Sequence, residues 1–143
     1  MRILVALAIA ALAGSAHAQS LELTEPLASV EFSPGSVGAG DEATGSLRDA
    51  VTWLKQHPNR LLVIQGYADR AGSRTQNLRL SQDRADTVRG ELLALGADPL
   101  RIIEVAYGEE DARPGRRVDV RGTLVQFPDL VRGQKVGILP TTP

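Results

Sequence analysis

Cysteine is absent from the 143 residues of this sequence, and histidine occurs only twice, at His17 and His57. The missing cysteines exclude disulfide bonds, thiol nucleophiles and cysteine-based zinc sites. The first histidine lies in a segment that we expect to be removed. His57 alone is too little for a serine–histidine mechanism or a two-histidine metal site. We therefore expect a protein that is not an enzyme and needs no cofactor.

An excess of charge of either sign is also missing, with 16 basic against 17 acidic side chains and a net charge of −1. This balance gives no reason to expect nucleic acid or an anionic membrane surface as the main partner. Long apolar runs are missing as well. The apolar run of residues 3–13 is too short to span a bilayer comfortably, and we expect no transmembrane segment in the mature chain.

Residues 1–18 have the pattern of a secretory signal peptide. Arg2 supplies the positive start, the apolar run follows, and Ala16-His17-Ala18 is a small-x-small cleavage site. An uncleaved amphipathic anchor is the alternative. Lipid attachment in bacterial lipoproteins requires a cysteine, so we expect the exported protein to lack a lipid anchor. It would lie in the periplasm, either free or held at the outer membrane or cell wall.

The mature part divides into a polar lead-in (19–26), one domain (27–122) and a C-terminal tail (123–143). Apolar alternation, helix caps and breakers predict the element order β-α-β-α-β-β. This order is typical of an α+β fold in which two helices pack on one face of a small mixed sheet. The predicted elements are strand 27–32, a helix from an Asp41 cap to a stop at Pro58, strand 61–67, a helix from Ser73 to Leu95, strand 102–107 and strand 117–125.

Two further predictions concern the end of the chain. The strict alternation of the last strand, 117–125, is typical of a half-exposed antiparallel or edge strand. In the tail, residues 136–139 form either one more short strand or a loose segment.

The second helix has the clearest local signals. Ser73 and Gln76 fit a capping box at its start, and Gly96 fits a left-handed cap at its end. Small or apolar residues recur at intervals of three and four, and they predict the face that packs on the sheet. These residues are Leu78, Ser81, Ala85, Val88, Leu92 and Leu95.

The segment 66–85 places a carboxylate and a guanidinium where a strand, a loop and this helix meet. Asp69 lies in the loop, and Asn77 and Arg84 share one face of the helix because seven residues make about two turns. An arginine fork suits a carboxylate, and an aspartate suits an ammonium group. Together they match a small zwitterion such as an amino-acid head group. The alternative is that Asp69 and Arg84 only pair with each other at the surface.

A set of residues in register carries a resemblance to a known family. These residues are Gly66, Asp69, Gly72-Ser73, Asn77, Leu80-Ser81, Arg84-Ala85 and Arg116-Arg117-Val118. The pattern resembles the OmpA-like C-terminal domain family, which includes the peptidoglycan-associated lipoprotein and the stator protein MotB. The resemblance covers residues 27–122 in the same element order.

The resemblance implies non-covalent binding of peptidoglycan through the diaminopimelate residue of its stem peptide. It implies that Asp69 binds the ammonium group and Arg84 the carboxylate of that residue. Asn77 would hold the loop or a peptide carbonyl, and Arg117 would lie at the rim beside Arg116. The alternative for Arg117 is a solvated charge on a strand.

Three positions depart from the family pattern. Tyr67-Ala68 replace a His-Thr pair, Ser33-Pro34 replace an aspartate after the first strand, and the connection 108–115 is shortened. The shortened connection, the Tyr67-Ala68 pair and the unassigned tail from Phe127 leave a second interpretation open, an envelope protein-interaction module that keeps the fold but has lost peptidoglycan binding. Its partner would be an envelope protein that meets the tail or the acidic turn 109–111.

Overall fold

The structure, a computed structural model, describes residues 3–9, 19–109 and 115–128. The expected cleavage site at 16–18, the tail residues 136–139 and most of the acidic connection lie outside the described residues. The described elements, in chain order, are β1 (Ile3–Ile9), β2 (Gln19–Leu23), β3 (Ala28–Glu31), α1 (Ala43–Gln56), β4 (Leu62–Ala68), α2 (Arg74–Ala94), a 3-10 turn (Pro99–Arg101), β5 (Ile102–Glu109) and β6 (Arg117–Gly122).

Four strands form one mixed sheet in the order β3-β6-β4-β5. The strand β6 is antiparallel to both of its neighbours, and β4 and β5 are parallel. Both helices pack on one face of this sheet, and the apolar side chains between them form the main core. The predicted α+β class and the order β-α-β-α-β-β from residue 27 onward are therefore confirmed.

The position of β6 corrects one prediction. Its pairing is antiparallel as predicted, but β6 lies inside the sheet and is not an edge strand. Its polar residues Asp119 and Arg121 are buried on the face away from the helices. Arg121 Nε donates to Gln65 Oε1 at 2.9 Å and its Nη1 to the Thr24 carbonyl at 3.0 Å. Polar alternation here reflects a satisfied hydrogen-bond network and not exposure to water.

The first helix differs from its prediction at its start. Glu42, and not Asp41, occupies the N-cap position of α1, and it makes no capping side-chain hydrogen bond. Asp41 contributes its backbone carbonyl, which accepts from the Thr44 amide at 3.2 Å. The N-cap of α1 therefore lies one residue later than the side-chain pattern predicts.

The second helix agrees more closely with its prediction. The capping box between Ser73 and Gln76 is present, and Gly96 follows the helix with φ of 97°. The predicted packing stripe is buried at Ser81, Ala85, Val88 and Leu92. Leu78 is an exception with an exposed fraction of 51%, because the first turn of α2 extends past the apolar core.

The strand β1, within the expected leader, pairs antiparallel with β2 in a separate two-stranded sheet. An isolated bridge between Leu23 and Thr123 connects β2 to the main domain. Removal of residues 1–18 remains a prediction. Among the described residues, no helix has both the length and the apolar character needed to cross a membrane.

Candidate functional site

The candidate site lies at the end of β4, and a glycine determines how closely the second helix approaches it. A Cβ atom at Gly66 would overlap the backbone carbonyl of Ser81, so only glycine allows α2 to lie this close to β4. Arg84 follows Ser81 by about one helical turn. The close contact therefore brings Arg84 to the strand end, next to the loop that begins at Asp69.

Asp69 is the most accessible of the predicted site residues, with about a third of its side chain exposed. Its Oδ1 accepts from the Gly115 amide at 3.0 Å, and its Oδ2 lies 2.6 Å from Arg116 Nη1. A Cβ atom on Gly115 would lie 2.5 Å from the Ala68 carbonyl oxygen. The glycine thus allows the returning chain to reach the aspartate.

Arg84, in contrast, has no exposed surface. Its Nε donates to the Ser36 carbonyl at 2.9 Å, and its Nη1 and Nη2 donate at 3.3 Å to the carbonyls of Tyr67 and Ser33. The guanidinium carbon lies 5.3 Å from the centre of the Phe32 ring. Arg84 therefore fastens the Ser33–Ser36 turn to the end of β4. These contacts differ from the surface ion pair with Asp69 that the sequence left as an alternative.

The charges around Arg84 form a connected set. Burial lowers the pKa of Arg84, the nearby Asp69 carboxylate raises it, and the nearby Arg116 lowers it again. Arginine keeps its charge despite such shifts. The end of the sheet thus holds two cations and one anion that act on each other directly.

Asn77 is buried and serves the scaffold of the site. Its Nδ2 donates to Glu109 Oε1 at 3.0 Å, which ties the first turn of α2 to the end of β5. Arg70 approaches the same carboxylate, with its Nε 3.7 Å from Glu109 Oε2. Asn77 therefore joins the first turn of α2 to β5, and its role toward the loop or a peptide carbonyl stays a prediction.

Arg117 lies on the other face of the sheet from Asp69. Its guanidinium stacks 4.2 Å from the centre of the Tyr67 ring, and its Nε donates to Asp119 Oδ2 at 3.2 Å. The residue that the structure brings to Asp69 is its neighbour Arg116. The sequence contained a signal for this, because Arg116 and the core residue Val118 are two apart and share a face in a strand.

The arrangement suits the binding of a small charged group. A partly exposed carboxylate and two guanidinium groups can hold complementary charges by hydrogen bonds. No group of three or more histidine, aspartate or glutamate side chains within residues 3–9, 19–109 and 115–128 is arranged to hold a metal ion.

Comparison with known proteins identifies the family. Residues 31–121, more than half of the chain, match the OmpA family, and the chain belongs to this family. It is 32% identical over 79 residues to the peptidoglycan-associated lipoprotein of Agrobacterium fabrum, covering 55% of this chain and 45% of the relative. It is 30% identical over 110 residues to the outer membrane protein P5 of Haemophilus influenzae, covering 76% of this chain and 31% of the relative. The chain thus spans less than half the length of these curated relatives.

Solved structures show the same fold. The peptidoglycan-associated lipoprotein of Burkholderia pseudomallei superposes with a TM-score of 0.57 at 30% identity, covering 66% of this chain and 89% of that one. The OmpA-like domain of FopA1 from Francisella tularensis superposes with a TM-score of 0.60 at 17% identity, covering 72% and 71%. At that identity the second similarity concerns the fold alone.

Proposed function

We propose that this protein binds peptidoglycan non-covalently in the bacterial cell envelope, through the diaminopimelate residue of the stem peptide. The observation that carries the proposal is the meeting of Asp69 with two arginines at one end of the sheet. Membership of the OmpA family and the relatives named peptidoglycan-associated lipoprotein support it.

The chemistry of the ligand matches the site in charge. The free end of diaminopimelate carries an ammonium group and a carboxylate on one carbon atom. Asp69, a third of which is exposed, would accept hydrogen bonds from the ammonium group. Arg84 would receive the carboxylate, as the family resemblance implies.

This assignment requires a change at Arg84, whose three recorded hydrogen bonds all go to backbone carbonyls. Two of these carbonyls belong to the exposed Ser33 and the half-buried Ser36. A ligand carboxylate would take the place of these turn carbonyls, which water would then solvate. The buried Tyr67 carbonyl would keep its bond and hold the guanidinium in place.

The cellular setting is part of the proposal. Export to the periplasm without a lipid anchor would bring the domain to the peptidoglycan layer of a Gram-negative bacterium. Envelope proteins that meet the C-terminal tail, 123–143, would be additional partners.

The proposal is tested by co-sedimentation with insoluble diaminopimelate-type peptidoglycan. The purified exported protein is used, and mass spectrometry of its N-terminus also tests cleavage after Ala18. Wild type should sediment with the peptidoglycan. Asp69→Asn should lose at least about tenfold in affinity, because a charged partner of the ligand is removed. The control Arg48→Gln, which changes an exposed arginine on α1, should bind normally. A folded wild type that stays in solution would refute peptidoglycan binding and favour the protein-interaction module.

A further inference from the structure

Arg116 occupies the place on Asp69 that a ligand's ammonium group would need. Its Nη1 lies 2.6 Å from Asp69 Oδ2, and its Nε donates to the Phe32 carbonyl at 3.2 Å. A contact of 2.6 Å is at the short end for a charged hydrogen bond. Without a ligand, therefore, the aspartate is neutralised by a side chain of the protein itself.

Arg116 is also the more accessible of the two arginines. Its side chain is 39% exposed, whereas Arg84 has no exposed surface. A carboxylate that arrives from solvent can meet Arg116 without any movement of the Ser33–Ser36 turn. Arg116 makes two side-chain hydrogen bonds within the described part of the chain, and neither uses Nη2.

The charges of the described residues at this end of the sheet do not balance. Among these residues, Asp69 contributes one negative charge, and Arg84 and Arg116 contribute two positive charges that act on each other. The nearby Glu109 does not correct this excess, because Arg70 lies 3.7 Å from it. A ligand that brings only an ammonium group must displace Arg116 and leaves both arginines without an anion. A ligand that also brings a carboxylate supplies the missing partner.

We infer that Arg116 tunes the specificity of the site: it holds Asp69 in the absence of ligand and, once the ligand's ammonium group displaces it, binds the ligand's carboxylate beside Arg84. The inference rests on the proposed function and adds to it. It makes the site selective for an amino-acid head group with a free carboxylate over the same group with a carboxamide. The exchange breaks one ion pair and forms two, and no covalent bond changes.

Two soluble probes test the inference by calorimetric titration of the full exported protein. One is the stem tripeptide that ends in diaminopimelate, and the other is the same peptide amidated at the carboxylate beside the free amine. Wild type should prefer the carboxylate probe by about tenfold or more, in keeping with the coupling measured between close charges across binding interfaces. Arg116→Gln should bind the carboxylate probe more weakly and the amidated probe equally or more tightly, so that the preference falls clearly below that of wild type.

Two controls keep the test decisive. Arg116→Lys retains the charge and should keep most of the preference, while Arg48→Gln should keep all of it. A third measurement needs no variant. In wild type, the Arg116 Nε–H signal in NMR spectra should shift further with the carboxylate probe than with the amidated probe.

The outcomes separate the two proposals. A folded Arg116→Gln protein that keeps the full preference, or an Arg116 Nε–H signal that responds equally to both probes, overturns the inference and leaves peptidoglycan binding intact. A folded wild type that binds neither probe overturns the proposed function, and the inference falls with it.

Discussion

Replacing Arg84 with methionine would separate its structural role from its binding role. Methionine has a similar length but no donor, so the carbonyls of Ser33, Ser36 and Tyr67 each lose the hydrogen bond from Arg84. The two turn carbonyls can bind water, because Ser33 is exposed and Ser36 is half-buried. The Tyr67 carbonyl belongs to a buried residue, so water cannot readily replace the donor that it loses.

The expected loss of stability follows from these contacts. A buried carbonyl that loses a charged donor costs about 1–3 kcal/mol, and the two lost hydrogen bonds to the turn add to this. The variant no longer buries a charge, which offsets part of the loss. We expect unfolding to become easier by about 3 kcal/mol, which shifts a urea midpoint by about 1–2 M.

Arg101 provides a matched comparison. Its side chain is buried, as that of Arg84 is. Its Nη2 donates to the carbonyls of Leu54, His57 and Arg60 at 3.0, 2.6 and 2.8 Å. It lies near the start of β4, about 20 Å from Asp69 for a seven-residue strand. Arg101→Met should therefore destabilise the protein to a similar extent without changing its affinity for peptidoglycan.

Urea unfolding followed by the fluorescence of the single tryptophan, Trp53, and by circular dichroism measures both variants, and co-sedimentation below the transition measures their binding. We expect Arg84→Met to lose both stability and binding. A stability loss below about 1 kcal/mol for Arg84→Met would refute the argument that this side chain fastens the turn. A stable variant with normal binding would also remove Arg84 from the site.

Two further predictions concern other parts of the domain. Gly66→Ala should destabilise the protein by about 1–3 kcal/mol because its Cβ would overlap the Ser81 carbonyl. Gly90→Ala, on the open side of α2, should instead stabilise the protein by about 0.5–1 kcal/mol. Thermal unfolding measures both variants, and equal effects would contradict the close approach of α2 and β4. Burial and the neighbouring Asp86 raise the pKa of Glu104 from 4.5 to about 7, so the folded state binds this proton more tightly and stability should fall as pH rises from about 4.5 to about 7. Glu104→Gln should remove this fall and gain up to about 2 kcal/mol at pH 8, and urea titrations showing the same pH slope in both proteins would contradict it.

Local sequence signals predicted much of this fold because the interactions they report are local. The capping box joins Ser73 and Gln76, three residues apart, and its geometry depends on little else. The apolar run before Asp69 forms the fully buried β4, as its composition indicates. Family membership rests on the longer range of residues 31–121, which contains both of these segments.

The chemistry of Arg84 could not be predicted in this way. Helical spacing placed it at the border of the packing stripe, but its partners at Ser33 and Ser36 are 51 and 48 residues away. Only the tertiary fold shows that a turn covers the guanidinium. The position of β6 is similar, because the partners that satisfy Asp119 and Arg121 come from distant parts of the chain.

The prediction for Arg117 differs from the structure, and the alternation of side chains along β6 indicates why. Arg117 was the predicted rim residue, yet it stacks on Tyr67 across the sheet from Asp69. The register Val118–Gly66 puts Arg116 on the helix side of the sheet end. Alternation cannot predict the 2.6 Å contact with Asp69, because it joins residues that are 47 apart in the sequence.

The measurement that tests the central claim most directly is an NMR titration of the ¹⁵N-labelled exported protein with the diaminopimelate-terminated stem tripeptide. We predict that the largest amide shifts fall on residues 69–73 and on Gly115 and Arg116, with saturation that is lost in Asp69→Asn. Absence of shifts in the folded wild type, or shifts confined to the opposite sheet face around Tyr107 and Arg117, would contradict the assignment of this end of the sheet as the peptidoglycan site.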